Sequence, residues 1–195
     1  MENKDIFKLK GSKKIIVVTN RHLVKENFLK AIEKCVLYGA DAVMLREKDL
    51  QYEELMEVGE QIKNITDNYG VPLIINGNFR AALELETYGF HTGFEKFKSM
   101  NRSEKNSLCI GVSVHSSREA VEAEKLGADY VMAGNVFETS CKIGLKGRGI
   151  NFIDDIANKI FIPVIAIGGI GRENIESVLG TKASGAAIMS YAMNL

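Results

Sequence analysis

The residues with chemical potential fall at the ends of short apolar runs. His115 follows Cys109–Val114, and an imidazole that titrates near ~6.5 when unperturbed can serve as a general base. His91 and His22 close or follow two other runs, with packing and loop roles as the plainer alternatives. Arg46, Glu47 and Lys48 are consecutive, so strand alternation directs Arg46 and Lys48 to one side and Glu47 to the other; a structural ion pair is the competing reading. Asn76, Ser113 and Thr139 add hydrogen-bonding groups at similar places. In AIGGIGRENI, the adjacent Gly168 and Gly169 let backbone N–H groups approach an anion just before a short helix, or simply permit a tight turn. Met189 and Ser190 of IMSYAM follow the next run and can add backbone and hydroxyl donors to the same anion. A phosphate monoester is the guest that this corner implies. Lys142 and Arg148 flank the glycines of KIGLKGRG, a loop suited either to closing over an anionic ligand or to lying in solvent. The three cysteines, Cys35, Cys109 and Cys141, form no C-x-x-C or metal-ligand spacing, so reduced thiols and no metal are expected. Cys141 has a basic neighbour but no nearby histidine, which argues against a thiol nucleophile.

The elements that must position these residues are Val- and Ile-rich runs at Ile15–Thr19, Ala42–Arg46, Pro72–Asn76, Gly89–Gly93, Cys109–Val114, Asp129–Gly134, Pro163–Gly169 and Gly185–Ser190. Amphipathic segments at Lys25–Tyr38, Tyr52–Tyr69, Arg118–Leu126, Phe152–Ile160 and Arg172–Leu179 separate many of them. Strands apolar on both faces and alternating with helices require a parallel sheet. Eight such units predict an α/β fold with a single (β/α)8 TIM barrel over 1–195, residues 1–13 forming a peripheral extension. The chain stops soon after the eighth run, so the final helix is expected to be missing or vestigial. A doubly wound open sheet is the competing architecture, weakened by the lack of G-x-G-x-x-G after the first run. Twenty-five basic and 25 acidic residues cancel, which excludes a sequence-wide field for nucleic acid or an anionic membrane. No secretory h-region or long apolar run is present, so a cytoplasmic location is expected. An uncovered eighth unit would leave apolar surface for a second copy, and a homodimer is expected.

Five segments carry a resemblance: VMLREK at Val43–Lys48, PLIIN at Pro72–Asn76, GVSVHS at Gly111–Ser116, GADYV at Gly127–Val131 and PVIAIGGI at Pro163–Ile170. Together they resemble the thiamine phosphate synthase/TenI superfamily over nearly the whole chain. Within that superfamily, the continuous stretch Ser113–Gly149, particularly F-E-T-x-C-K from Phe137 and G-L-x-G-R-G from Gly144, is more similar to TenI-type thiazole tautomerases than to the synthases. The resemblance implies an isomerase that aromatises a carboxythiazole phosphate without a metal or redox cofactor. The tautomerase histidine falls at Asn135, and an amide cannot act as a base near neutral pH. The proton shift then passes to His115, Glu138 or water, with Asn135 as a hydrogen-bonding group. Arg46, Lys48, Asn76, Ser113, Thr139, Lys142, Gly168, Gly169, Met189 and Ser190 would hold the phosphorylated thiazole. A non-catalytic, regulatory phosphate-ligand binder is a second reading. The third is a magnesium-dependent synthase that joins a hydroxymethylpyrimidine pyrophosphate to a thiazole phosphate. For a synthase the superfamily pattern places a pyrimidine-binding Gln and two magnesium-binding Asp residues where this chain has Met44, Gly77 and Glu95.

Overall fold

The structure, a computed structural model, describes residues 11–25, 27–101, 108–139, 144 and 146–195. Eight short parallel strands pair in sequence order and close into a barrel. They are β1 (Lys14–Val18), β2 (Ala42–Leu45), β3 (Leu73–Asn76), β4 (Gly89–Gly93), β5 (Cys109–Val114), β6 (Tyr130–Gly134), β7 (Val164–Ile167) and β8 (Gly185–Ile188). Around them run α1 (Phe28–Leu37), α2 (Tyr52–Asn68), α3 (Phe79–Glu84), α4 (Phe94–Ser99), α5 (Ser117–Lys125), α6 (Ile150–Ala157), α7 (Ile175–Leu179) and α8 (Ser190–Met193). The closed barrel replaces the open sheet as an alternative, because β1 pairs with β8 from Lys14↔Gly185 to Val17↔Ile188.

Alternation along the strands produces two apolar clusters. Ile16, Val18, Ala42, Met44, Ile74, Tyr130, Met132, Ile165 and Ala187 pack inside the barrel. Neighbouring strand residues such as Ile15, Val17, Val43, Leu45, Val131 and Ala133 face outward and pack with the helices. Side chains cap the starts of α1, α3 and α5. Asn27 accepts from the Lys30 amide at 3.0 Å, Asn78 from Ala81 at 3.0 Å and Ser116 from Glu119 at 3.1 Å. The repeated Gly-Ala-Asp units serve as matching clasps at the amino ends of strands. Asp41 accepts from the Ile15 amide at 2.8 Å, and Asp129 accepts from the Ile110 amide at 2.7 Å. Each carboxylate ties the start of its own strand to the strand before it.

The differences from expectation are local. The first expected strand starts one residue earlier, at Lys14, and several apolar runs end before their polar tails do. The helices α3 and α4 were not indicated by periodicity, since six residues each are too few to display a repeat. The final helix is a single turn, Ser190–Met193, whose Ala192 and Met193 are buried; the Cys35 thiol donates to the Ala192 carbonyl at 3.5 Å. Residues 1–10 of the expected extension lie outside the described residues. Lys13 is tied down through its ammonium, which donates to the Thr181 and Ala183 carbonyls.

One close approach controls the barrel interior. Gly111 on β5 lies in register with His91 on β4 and Tyr130 on β6, and a Cβ there would overlap the Tyr130 ring. Gly111→Ala is therefore expected to cost about 1–3 kcal/mol through overpacking, read from the urea midpoint at constant slope. An unchanged midpoint would show that the tyrosine is not held there.

Candidate functional site

The carboxyl ends of the strands surround a cavity of about 390 Å³, where parallel barrels place their binding sites. It brings together Arg46, Lys48, Asn76, Ser113, His115, Asn135, Thr139, Gly168, Gly169, Met189 and Ser190. Glu138 is exposed and does not line the cavity. Lys142 and Cys141 lie outside the described residues. The strand-end rule overlooked the floor, made by Val18, Met132, Ile167 and Ala187; inward alternation along those strands is the signal that points to it.

Arg46 and Lys48 both line the cavity while Glu47 turns away, as alternation requires. The Glu47 side chain is 1% exposed. It accepts from the Thr19 hydroxyl at 2.7 Å, the Arg21 amide at 3.0 Å and the Arg21 guanidinium at 3.1 Å. Such a buried carboxylate is tolerable because its charge is paired and its lone pairs are occupied. Thr19 also accepts from the Arg46 amide at 2.9 Å, so the same network fixes the backbone that carries the cavity-facing arginine. Arg21 grips Asp49 at 2.6 and 2.7 Å, and His22 meets Asp49 at 2.9 Å. The Arg21 and His22 hydrogen bonds hold the Asp49 carboxyl well below its ordinary range. His22 therefore belongs to the rim clasp and does not line the cavity.

Across the opening, Gly168 and Gly169 have φ of 109° and 63°, angles at which side chains are strained. A Cβ at Gly168 would lie 2.6 Å from that of Asn135. The Asn174 amide donates to the Gly169 carbonyl at 2.8 Å and accepts from the Gly171 amide at 2.9 Å, fixing the bend. Ile170, Met189 and Ser190 complete this corner. On the β5–β6 side, Nδ1 of His115 is 2.9 Å from the Gly134 carbonyl. A carbonyl only accepts, so Nδ1 carries a proton and donates it to that carbonyl. Asn135 is buried, with its amide donating to the Phe137 carbonyl at 3.2 Å.

His91 does not reach the cavity wall. It lies below, 1% exposed, with Nε2 2.8 Å from the Ser113 hydroxyl and Nδ1 3.2 Å from the Tyr130 hydroxyl. Burial, aided by the Arg46 charge, lowers its pKa to about 3.

The residues present do not fit the magnesium site of a synthase. Gly77 offers no carboxylate, and its carbonyl accepts from the Lys96 ammonium at 2.7 Å. The Glu95 side chain is 84% exposed and lies 3.9 Å from Lys98. Among the described residues no group of three or more His, Cys, Asp or Glu could hold a metal. Met44 is buried in the barrel interior, where a thioether replaces the amide that would pair with a pyrimidine.

A closed parallel barrel with a cavity at the carboxyl ends of its strands defines a TIM-barrel protein. The profile of the family described as thiamine monophosphate synthase (TMP-TENI) matches residues 15–192, and the chain belongs to that family. Thiamine-phosphate synthase of Pyrococcus horikoshii is 36% identical over 92% of this chain and 86% of its own. The enzyme of the same name from Clostridium acetobutylicum is 36% identical over 91% and 85%. The solved thiamine phosphate pyrophosphorylase of Pyrococcus furiosus superposes with a TM-score of 0.82 at 33% identity, covering 95% of this chain and 89% of that one. These relatives overturn the tautomerase expectation and its regulatory variant, because similarity over the whole barrel runs to proteins named as synthases. Among the described residues no helix is long and apolar enough to cross a membrane.

His91 carries a stability consequence. Its pKa is depressed on folding to about 3, so between ~6.5 and that value the unfolded chain binds a proton that the folded chain does not. Acidification across this window therefore destabilises the protein, by up to about 1.4 kcal/mol per pH unit from this group. The difference in unfolding free energy between the parent and His91→Gln should shift in favour of the variant as pH falls from ~6 to ~4. A difference independent of pH would contradict the neutral, buried ring.

Proposed function

We propose that the protein is a transferase forming thiamine phosphate from a pyrimidine bearing a pyrophosphate and a thiazole bearing a phosphate. The observation that carries this reading is the presence of two separate anion-attracting corners in one cavity. Gly168, Gly169 and Ser190 form one between β7 and β8, and Arg46 and Lys48 form the other after β2. A ligand with a single phosphate needs only the first. A second, more highly charged substrate uses the second, and the apolar floor of Val18, Met132 and Ile167 lies beneath both ring systems. The names of relatives similar across almost the whole chain support the same reading.

Chemically, the thiazole nitrogen forms a bond to the methylene carbon of the pyrimidine as the carbon–oxygen bond breaks and its electron pair leaves with pyrophosphate. Arg46 and Lys48 would stabilise the charge gathering on that leaving group. The glycine corner would fix the thiazole phosphate so that nitrogen and carbon meet in one orientation. Ser113, Asn76 and His115 stand between the corners as hydrogen-bonding groups.

Incubating the protein with both substrates should yield thiamine phosphate and pyrophosphate in equal amounts. Arg46→Met should lower kcat/KM for the pyrophosphate substrate by about 10–100-fold, the worth of one charge-assisted hydrogen bond. Absence of product from folded protein would overturn the reading.

A further inference from the structure

Beneath the cavity, Tyr130, His91 and Ser113 form a buried chain that ends on the cavity wall. Its geometry follows from strand register. His91 pairs with Gly111, and Gly111 pairs with Tyr130; with no side chain between them, the phenol and imidazole rings approach to 5.7 Å between centroids. Ser113 is two residues further along β5, so it lies on the same face one layer nearer the opening.

We propose that Tyr130 is a positioning residue: it donates its phenolic proton to Nδ1 of His91, which fixes the Nε2–H tautomer and leaves the Ser113 hydroxyl proton free to be donated to a bound substrate. The assignment follows from counting donors. A neutral imidazole has one N–H and one lone pair. His91 is kept neutral by burial and by the nearby Arg46 charge, and burial raises the Tyr130 pKa, so the phenol keeps its proton. Tyr130 is 8% exposed, and among the described residues its hydroxyl bonds only to Nδ1 of His91. If Nδ1 carried the proton, the phenolic proton would be stranded in the interior, a costly arrangement. The lone pair therefore lies on Nδ1 and the proton on Nε2. Nε2–H donates to the Ser113 oxygen at 2.8 Å, and the remaining hydroxyl proton is directed elsewhere. Ser113 lines the cavity, so the proton left free is available to a ligand bound there. Ser113 thus acts as a donor at a fixed place, selecting a substrate that presents an acceptor there.

The tautomer stands independently of the proposed transferase activity; only the kinetic arm rests on that reading. Nitrogen-15 NMR of the histidine rings, with the His91 signal assigned by its loss in His91→Gln, should show an Nε2–H tautomer in the parent protein. It should show a shift towards Nδ1–H in Tyr130→Phe. Kinetically, Tyr130→Phe and Ser113→Ala should each lower kcat/KM about tenfold, one hydrogen bond's worth, and the double variant should be no worse than Ser113→Ala alone. A merely structural tyrosine would leave the tautomer unchanged and give additive losses, and either result overturns the proposal. Should Tyr130→Phe fail to fold, His91→Gln decides: its amide can accept from Tyr130 and donate to Ser113, so it should retain kcat/KM within about threefold while His91→Leu loses about tenfold. Equal losses in the two variants would also overturn it. If no turnover is found in the parent protein, the proposed function fails and the tautomer measurement still decides the relay.

Discussion

The whole arrangement depends on side-chain alternation in eight strands of four to six residues that close on themselves. A strand of this length offers two or three inward positions, and these must both fill a barrel and furnish its rim. The lower inward positions take Ile16, Ala42, Ile74 and Ile165. Later inward positions, or residues just beyond the strands, take Arg46, Asn76, Ser113 and Gly168. Core and site are consecutive layers of one stack, so a change in either presses directly on the other. Gly111 shows this coupling: its missing side chain admits Tyr130, and Tyr130 in turn reaches the histidine beneath Ser113.

The rim applies the same separation to charge. Carboxylates are present near the opening but are engaged outside it. Glu47 is held by Thr19 and Arg21, Asp49 by Arg21 and His22, and Glu119 accepts from the His115 amide at 2.6 Å. Among the described residues, the charged side chains lining the cavity are Arg46 and Lys48. An interior of one sign with low-dielectric walls attracts anions strongly although the chain as a whole is neutral. Local sorting of charge is what gives this protein its field.

Much of this was legible in the sequence because it rests on period and order. The strand positions, the closed barrel and the outward turn of Glu47 follow from apolar runs and alternation, and Gly89–Gly93 and Cys109–Val114 match to the residue. The helices α3 and α4 were not legible, since Phe79–Glu84 and Phe94–Ser99 are stabilised by contact with the barrel rather than by a long amphipathic pattern. The role of His91 was hidden for another reason. Its neighbours are Ser113 and Tyr130, 22 and 39 residues away, and only register between strands brings them together. Likewise, Glu138 sits in a plausible motif, yet its side chain faces solvent.

The tautomerase expectation failed through an unequal weighting of loop and scaffold. It drew on the stretch from Ser113 to Gly149 and above all on two motifs beyond β6, and loops tolerate substitution more freely than the elements that they join. Similarity to proteins named as synthases spans the barrel from end to end. The glycine corner discriminates less, because backbone at Gly168 and Gly169 forms it and few side chains need be shared. Backbone groups can grip the same oxyanion in barrels that perform different reactions. Met44, Gly77 and the exposed Glu95 are different in kind: they are side-chain changes at positions where a synthase reading expects amide and carboxylate chemistry. A corner built from backbone reports the class of ligand, whereas the groups facing that ligand determine what is done to it.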